Sequence, residues 1–164
     1  MSYHGALLGF LLGAYIFSKR TGNSFGKFMD LVAVAVPLGY IFGRIGNFLN
    51  QELVGRATDV PWGIYVDGVL RHPSQLYEAF LEGLVLFIIL WHYSKKPRPT
   101  MATTGLAVFL YGCFRFFIEF FRMPDAHLGF VALDWVTMGQ ILSTPMIIIG
   151  GGLIYWAYKK ETVK

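Results

Sequence analysis

Long apolar runs with little between them constrain this chain more than any other feature. Gly5–Phe17, Leu31–Phe42, Leu76–Tyr93, Gly105–Phe121 and Val136–Tyr158 follow one another in only 164 residues. A helix crossing a bilayer core needs roughly 20 residues, with about 17–25 the usual range. The last three runs fit, and the first two reach that length with their weakly polar flanks. Composition agrees: 55% of residues are hydrophobic and 15% charged, against about 25% charged in a soluble domain. Intrinsic disorder and a collagen repeat are excluded, an ordinary soluble domain is disfavoured, and a single cysteine, Cys113, excludes a disulfide scaffold. The expected fold is all-α, a polytopic transmembrane helix bundle of about five spans. One integral membrane domain covers 1–164, with spans at about 4–18, 28–43, 75–93, 104–121 and 135–158.

Basic residues set the expected orientation. Lys19, Arg20 and Lys27 follow the first run, Lys95, Lys96 and Arg98 follow the third, and Lys159, Lys160 and Lys164 close the chain. These are alternate connections, so they share one side, the cytoplasm, which places the N-terminus outside and the C-terminus inside. Met-Ser-Tyr-His has no positive start and its basic pair comes after the apolar stretch, unlike a signal peptide. The net charge of +4 forms no basic stripe interleaved with stacking aromatics, so no nucleic-acid partner is expected. The outward stretch 44–73 is rich in turn residues. Asp67-Gly68 between Tyr65-Val66 and Val69-Leu70 is a hairpin signal, so a small outward-facing loop and hairpin cap is expected there.

Charges inside spanning helices are costly and are candidates for function. Tyr111, Arg115, Glu119 and Arg122, at steps of four, four and three, fall on one face of the fourth run. They read either as a working site or as an ion pair that stitches helices together. Gly43 to Gly55 places Arg44, Asn47 and Glu52 in one compact turn, where an arginine fork suits a phosphate and Gly55 permits close backbone approach. A snorkelling arginine beside a turn-rich loop is the plainer alternative. Ser74 is the expected N-cap of the third span, with Tyr77 and then Glu78 and Glu82 near the positive helix end. His4, at the outer end of the first run, suits proton transfer near neutral pH, although a lone interfacial histidine is more often structural. His4, His72, His92 and His127 show no metal-ligand spacing, and Cys113 reads as an apolar filler. Together these residues suggest a phospholipid-handling membrane protein.

The same residues resemble a known family, the bacterial prolipoprotein diacylglyceryl transferases. Arg44, Gly46, Asn47, Phe48, Asn50, Glu52 and Gly55 match that family's signature Arg-x-Gly-Asn-Phe-x-Asn-x-Glu-x-x-Gly at every fixed position. Met1-Ser2-Tyr3-His4-Gly5, Arg71 through Glu78, Tyr111-Gly112 with Arg115-Phe116 and Glu119-Phe120, Arg122 with Pro124-Asp125, and Gly139-Gln140 with Leu142-Ser143 and Pro145-Met146 match in order. The chain departs at Ala6, where the family often has a second glycine. Family members are also usually longer, with two more helices ahead of the histidine motif. The chain is therefore expected to be a fragment or late-start form lacking those helices.

The resemblance implies a bacterial inner-membrane enzyme that moves a diacylglyceryl group from phosphatidylglycerol to the lipobox cysteine thiol of a preprolipoprotein. A thioether forms and glycerol phosphate leaves, with no metal or organic cofactor. The implied partners are phosphatidylglycerol, the lipobox peptide and the lipid bilayer. On matching positions, Arg44 contacts the phosphatidylglycerol headgroup, while Asn47, Glu52, Gly55 and Arg122 complete its binding site. Arg115 is the second essential arginine, oriented by Glu119 and Tyr111, and His4 is the functionally important histidine, with general base one proposed role. The alternatives are a non-catalytic, phospholipid-binding fragment of such an enzyme and, less favoured, a small transporter.

Overall fold

The computed structural model describes residues 3–123 and 136–162, with side chains described from residue 5 onward. The described chain is mostly helical. A first helix α1 (Tyr3–Thr21) leads into α2 (Phe25–Leu49), whose N-cap Ser24 accepts from the Lys27 amide. A loop and a two-stranded antiparallel hairpin follow, with β1 (Ile64–Val66) against β2 (Val69–Arg71). One continuous helix then covers Ser74–Ser94. It is α-helical over Ser74–Glu78 (α3), π-helical over Ala79–Val85, and α-helical again over Leu86–Ser94 (α4). The last two helices are α5 (Ala102–Ile118) and α6 (Met138–Thr162).

Three helical stretches are long and apolar enough to cross a membrane: Phe25–Leu49, Ser74–Ser94 and Met138–Thr162. Helix α5 is apolar but shorter, at 17 residues. It packs more extensively on α6 than on any other element, through glycines that let the two backbones meet. A Cβ at Gly150 would lie 2.7 Å from the Phe109 Cα and 2.8 Å from the Gly105 carbonyl oxygen. Small residues at such crossings favour close helix packing within a bilayer. Large apolar side chains, among them Leu31, Phe42, Leu49, Phe80, Ile148 and Tyr155, lie exposed on the outer faces. The buried set is unusually polar, including Ser74, Gln75, Glu78, Glu82, Glu119, Arg122 and Gln140. That inversion is what a lipid solvent asks of a protein.

The hairpin expected at Asp67-Gly68 is present, with Val66 paired to Val69. Asp67 and Gly68 have φ of 51° and 77°, so both central residues are left-handed, as a two-residue type I′ turn requires. Two expectations need correction. The cap does not begin at residue 44: α2 continues to Leu49, so Arg44, Gly46 and Asn47 are helical. The Asn50 amide still reaches the Gly46 carbonyl at 3.0 Å, and the helix stops where Gln51 turns to φ 56°. Ser74 is not the N-cap of the third span either. Pro73 holds that place without a side-chain cap, because the Ser74 hydroxyl donates instead to the Leu53 carbonyl of the cap at 3.2 Å.

The segments that carry the lysines gather at one end of the bundle. There Asp30 of α2 caps α5 from outside that helix. Its carboxylate accepts from the Met101 amide at 2.7 Å, the Thr104 amide at 2.8 Å and the Thr104 hydroxyl at 2.7 Å. An anion at a helix N-terminus satisfies orphan donors and favours the helix dipole. Nearby, the Tyr93 and Tyr158 hydroxyls meet at 2.8 Å, and Arg98 stacks over the Tyr93 ring. Asp30→Ala is expected to cost about 1–3 kcal/mol, since it strands buried donors as well as a cap. Thermal unfolding in detergent checks this, with Asp30→Asn intermediate. An unchanged midpoint for the alanine variant would remove the cap from the account.

Candidate active site

At the opposite end, a carboxylate with no exposure organises the polar interior. Glu78 closes α3, one turn inside the helix that leads away from the cap. The Arg44 Nε lies 2.6 Å from Glu78 Oε2, and the Arg115 Nη1 lies 3.4 Å from Oε1. Arg122 Nη1 donates to that same Oε1. Three guanidiniums from α2, α5 and the turn after α5 thus converge on one side chain. Glu119 braces two of them, with Oε2 at 3.2 Å from Arg115 Nη2 and 3.4 Å from Arg122 Nε. The spacing of 115, 119 and 122 therefore does place one face inward.

Glu82, one turn after Glu78 and inside the π-helical segment, completes the group. Its Oε2 accepts from the Tyr40 hydroxyl, and its Oε1 lies 3.9 Å from Arg115 Nη1. Tyr40 also lies beneath the Arg44 guanidinium, 4.7 Å from the ring centroid, and meets the Tyr111 ring edge-on at 6.0 Å. Three arginines and three carboxylates balance to zero formal charge, which makes their burial tolerable. The hydrogen bonding is incomplete, however. Glu78 Oε2, Glu82 Oε1, Arg115 Nη1, Glu119 Oε2 and Arg122 Nε are buried without a hydrogen bond. Such groups are costly unless something else satisfies them.

The signature residues line up beside this network. Arg44 Nη1 donates to Asn47 Oδ1 at 3.4 Å, and Asn47 Nδ2 donates to Glu52 Oε2 at 3.2 Å. Glu52 is exposed and connects to the buried cluster through that relay, while its carbonyl accepts from Gln75 Nε2 at 2.6 Å. Gly55 pairs with Arg122 in an isolated bridge and donates its amide to the His72 carbonyl at 3.0 Å. A Cβ there would sit 2.5 Å from that carbonyl oxygen and 2.7 Å from the Phe121 one, so no side chain fits. Gly139 meets the same limit from α6, where a Cβ would lie 2.5 Å from the Glu119 Cδ. The Glu119 carboxylate consequently sits at the start of α6, where the helix dipole favours an anion.

Arg44, Asn47, Glu52, Gly55, Tyr111, Arg115, Glu119 and Arg122 are therefore brought to one end of the bundle. His4 lies in α1, but its side chain is outside the described residues. Sequence reasoning did not weigh Arg56. Its Nε donates to the Arg122 carbonyl at 2.7 Å and its Nη2 to the Glu119 carbonyl at 3.2 Å, capping the end of α5. The central roles of Glu78 and Glu82 were also missed, although two carboxylates four residues apart in an apolar run demand cations nearby. Tyr40, one turn before Arg44, left no comparable signal. Among the described residues no group of three or more His, Cys, Asp or Glu side chains is placed to hold a metal ion.

Fold and site define a helical membrane protein whose interior is an arginine–carboxylate network under a small cap. Comparison with known proteins agrees. The family model for prolipoprotein diacylglyceryl transferase matches residues 1–156, and the chain belongs to that family. It is 54% identical over 165 residues to the phosphatidylglycerol–prolipoprotein diacylglyceryl transferase of Azotobacter vinelandii, covering 98% of this chain and 62% of that protein. The proteins of the same name from Ectopseudomonas mendocina and Pseudomonas aeruginosa are 55% and 51% identical over 168 and 167 residues, each covering 100% of this chain and 63% of the relative. The chain thus spans a little under two thirds of the length of these relatives.

Two substitutions test the geometry. Glu78→Ala leaves three guanidiniums without their shared anion, and breaking a buried pair costs about 3–5 kcal/mol. Gly55→Ala forces two backbone segments apart, at about 1–3 kcal/mol. Both variants should unfold earlier than wild type in a detergent melt, with Glu78→Ala the worse. An unperturbed Glu78→Ala melt would show that the shared carboxylate does not hold the bundle together.

Proposed function

We propose that the protein transfers the diacylglyceryl group of phosphatidylglycerol to the lipobox cysteine thiol of a bacterial preprolipoprotein. In that reaction a sulfur–carbon bond forms and the carbon–oxygen bond to the phosphate breaks. The thiol proton goes to a base, and glycerol phosphate leaves with the electron pair. Arg44, with Asn47, Glu52, Gly55 and Arg122 around it, receives the phosphate. Arg115, oriented by Glu119 and beside Tyr111, stabilises the charge that grows on the leaving oxygen. His4 is the residue assigned to take the thiol proton. The observation that carries this reading is the convergence of Arg44, Arg115 and Arg122 within one buried network that retains unsatisfied donors. Arginine forks suit phosphate oxygens better than lysine does.

The same reading gives the chain five spans, α1, α2, Ser74–Ser94, α5 and α6, within a single integral membrane domain over 1–164. The cap and the arginine network face outward from the bacterial cytoplasmic membrane, and the lysine end, with the C-terminus, faces the cytoplasm. Its support is the gathering of the lysine-bearing segments at the end opposite the arginine network. The partners are phosphatidylglycerol, the lipobox peptide and the bilayer itself.

A lipidation assay tests the proposal: the purified chain in detergent, phosphatidylglycerol, a lipobox peptide with a free cysteine, and the peptide mass as readout. Wild type should add one diacylglyceryl mass. Arg44→Ala and Arg115→Ala should lower the rate by about 100-fold or more, the scale of losing a charge-stabilising donor. A folded wild-type chain that binds phosphatidylglycerol without modifying the peptide would instead support a non-catalytic lipid-binding protein.

A further inference from the structure

Tyr40 and Glu82 belong to none of the signature motifs, yet their placement decides what Arg115 can do. Glu82 is 1% exposed and lies in the π-helical segment Ala79–Val85. A π segment adds a residue to the turn and re-aims the side chains it carries, which is why such segments recur at functional sites. Space for this one is fixed from α2, because Gly83 leaves no room for a Cβ beside the Ile41 side chain. Glu82 is thereby held facing Tyr40 of α2 on one side and Arg115 of α5 on the other. Other charged groups crowd the same space: Arg44 from α2, Glu78 one turn earlier, and Glu119 beyond Arg115.

The two carboxylate oxygens of Glu82 are treated differently. Oε2 accepts the Tyr40 hydroxyl. Oε1 stands 3.9 Å from Arg115 Nη1, near enough to attract it and too far for a hydrogen bond. Both facing atoms, Glu82 Oε1 and Arg115 Nη1, are buried without a hydrogen-bond partner. A carboxylate beside a guanidinium would ordinarily close into a short, bidentate pair. Here the tyrosine engages one of the oxygens that such a pair would need.

We propose that Tyr40 and Glu82 form a positioning pair: the phenol hydroxyl holds Glu82 back from Arg115, so that a guanidinium nitrogen in ion-pair range of Glu78 and Glu82 but hydrogen-bonded to neither is kept for the substrate phosphate. The pair acts through Arg115 and does not itself contact the reacting atoms, and the inference rests on the proposed transferase reading. Tyr40 serves the two arginines by separate means, since its ring supports Arg44 by a cation–π contact while its hydroxyl restrains Glu82. In Tyr40→Phe the ring still lies under Arg44, while Glu82 is free to close on Arg115.

The test is the lipidation assay with kcat and KM for phosphatidylglycerol determined separately. Tyr40→Phe should keep KM within about twofold of wild type and lower kcat by about tenfold or more, because a donor active mainly in the transition state is lost. In the Tyr40→Phe background, Glu82→Gln should restore part of that loss, since a neutral amide no longer captures Arg115 as a carboxylate does. A purely structural role would give no such rescue and would lower the melting temperature of both variants alike. If kcat of Tyr40→Phe stays within about twofold of wild type, the pair is overturned even where Glu82→Gln fails to fold. The same holds if KM rises with kcat unchanged. A wild-type chain with no transfer activity overturns the transferase reading, and the positioning pair with it.

Discussion

A buried carboxylate shared by three arginines is the interaction on which the rest of this structure depends. Glu78 has no exposure, and in an apolar surround a lone carboxylate would be prohibitively costly. Arg44, Arg115 and Arg122 offset that cost, and each comes from a different stretch of chain. None of the three could be buried at this depth without an anion. The helices are consequently bound to one another by mutual need: α2, the helix Ser74–Ser94 and α5 must meet here, or each carries an uncompensated charge. In water such a network would add little to stability. In a bilayer, where apolar faces gain nothing from leaving lipid, polar contacts between helices take over part of the role of a hydrophobic core.

The cap follows from this arrangement. Its backbone closes over the network through the Gly55–Arg122 bridge and the hydrogen bond that the Arg56 amide donates to the Phe121 carbonyl, while the Arg56 side chain takes up the carbonyls of Glu119 and Arg122. The loop after α2 therefore finishes the end of α5, which would otherwise expose orphan carbonyls. Gly55 and Arg122 thus act at different levels. Gly55 allows two backbones to touch, and that contact places Arg122 where Glu78 can reach it. Asp30 performs the equivalent service at the far end, supplying α5 with an N-terminal anion from another helix.

Incomplete hydrogen bonding is the network's most unusual feature. Five of its charged atoms are buried in ion-pair range of an opposite charge yet without a hydrogen bond, although the formal charges cancel. A stitching network would be expected to relax until its donors were satisfied. The π-helical turn, the Tyr40 hydroxyl and the close approach of Gly139 to Glu119 all restrict that relaxation. Donors held apart from acceptors that are only ångströms away are the preorganisation that the proposed phosphate-binding role calls for. The chain belongs to the prolipoprotein diacylglyceryl transferase family, and the transferase reading proposed above rests on that membership together with this geometry.

Much of this was legible in the residues alone. Apolar length announces spanning helices because a bilayer core has a fixed thickness, and Asp67-Gly68 announces a hairpin because few residue pairs tolerate two left-handed positions. The steps from Tyr111 to Arg122 announce an inward face because helical periodicity leaves charges nowhere else to go. The extent of α2 was not legible, since Gly43 and Gly46 look like a stop until the Asn50 amide is seen to reach back to Gly46. The identity of the central anion was not legible either. Glu78, Glu82, Glu119 and Glu52 are all carboxylates near the same boundary, and sequence spacing relates only those on one helix. Which of them sits between three arginines, and which remains exposed, depends on how separate helices are rotated and how far each is shifted along its axis. Rotation and shift are properties of packing, fixed by contacts between residues far apart in the chain, and so the tertiary structure alone decided that Glu78 is the hub and that Tyr40 meets Glu82.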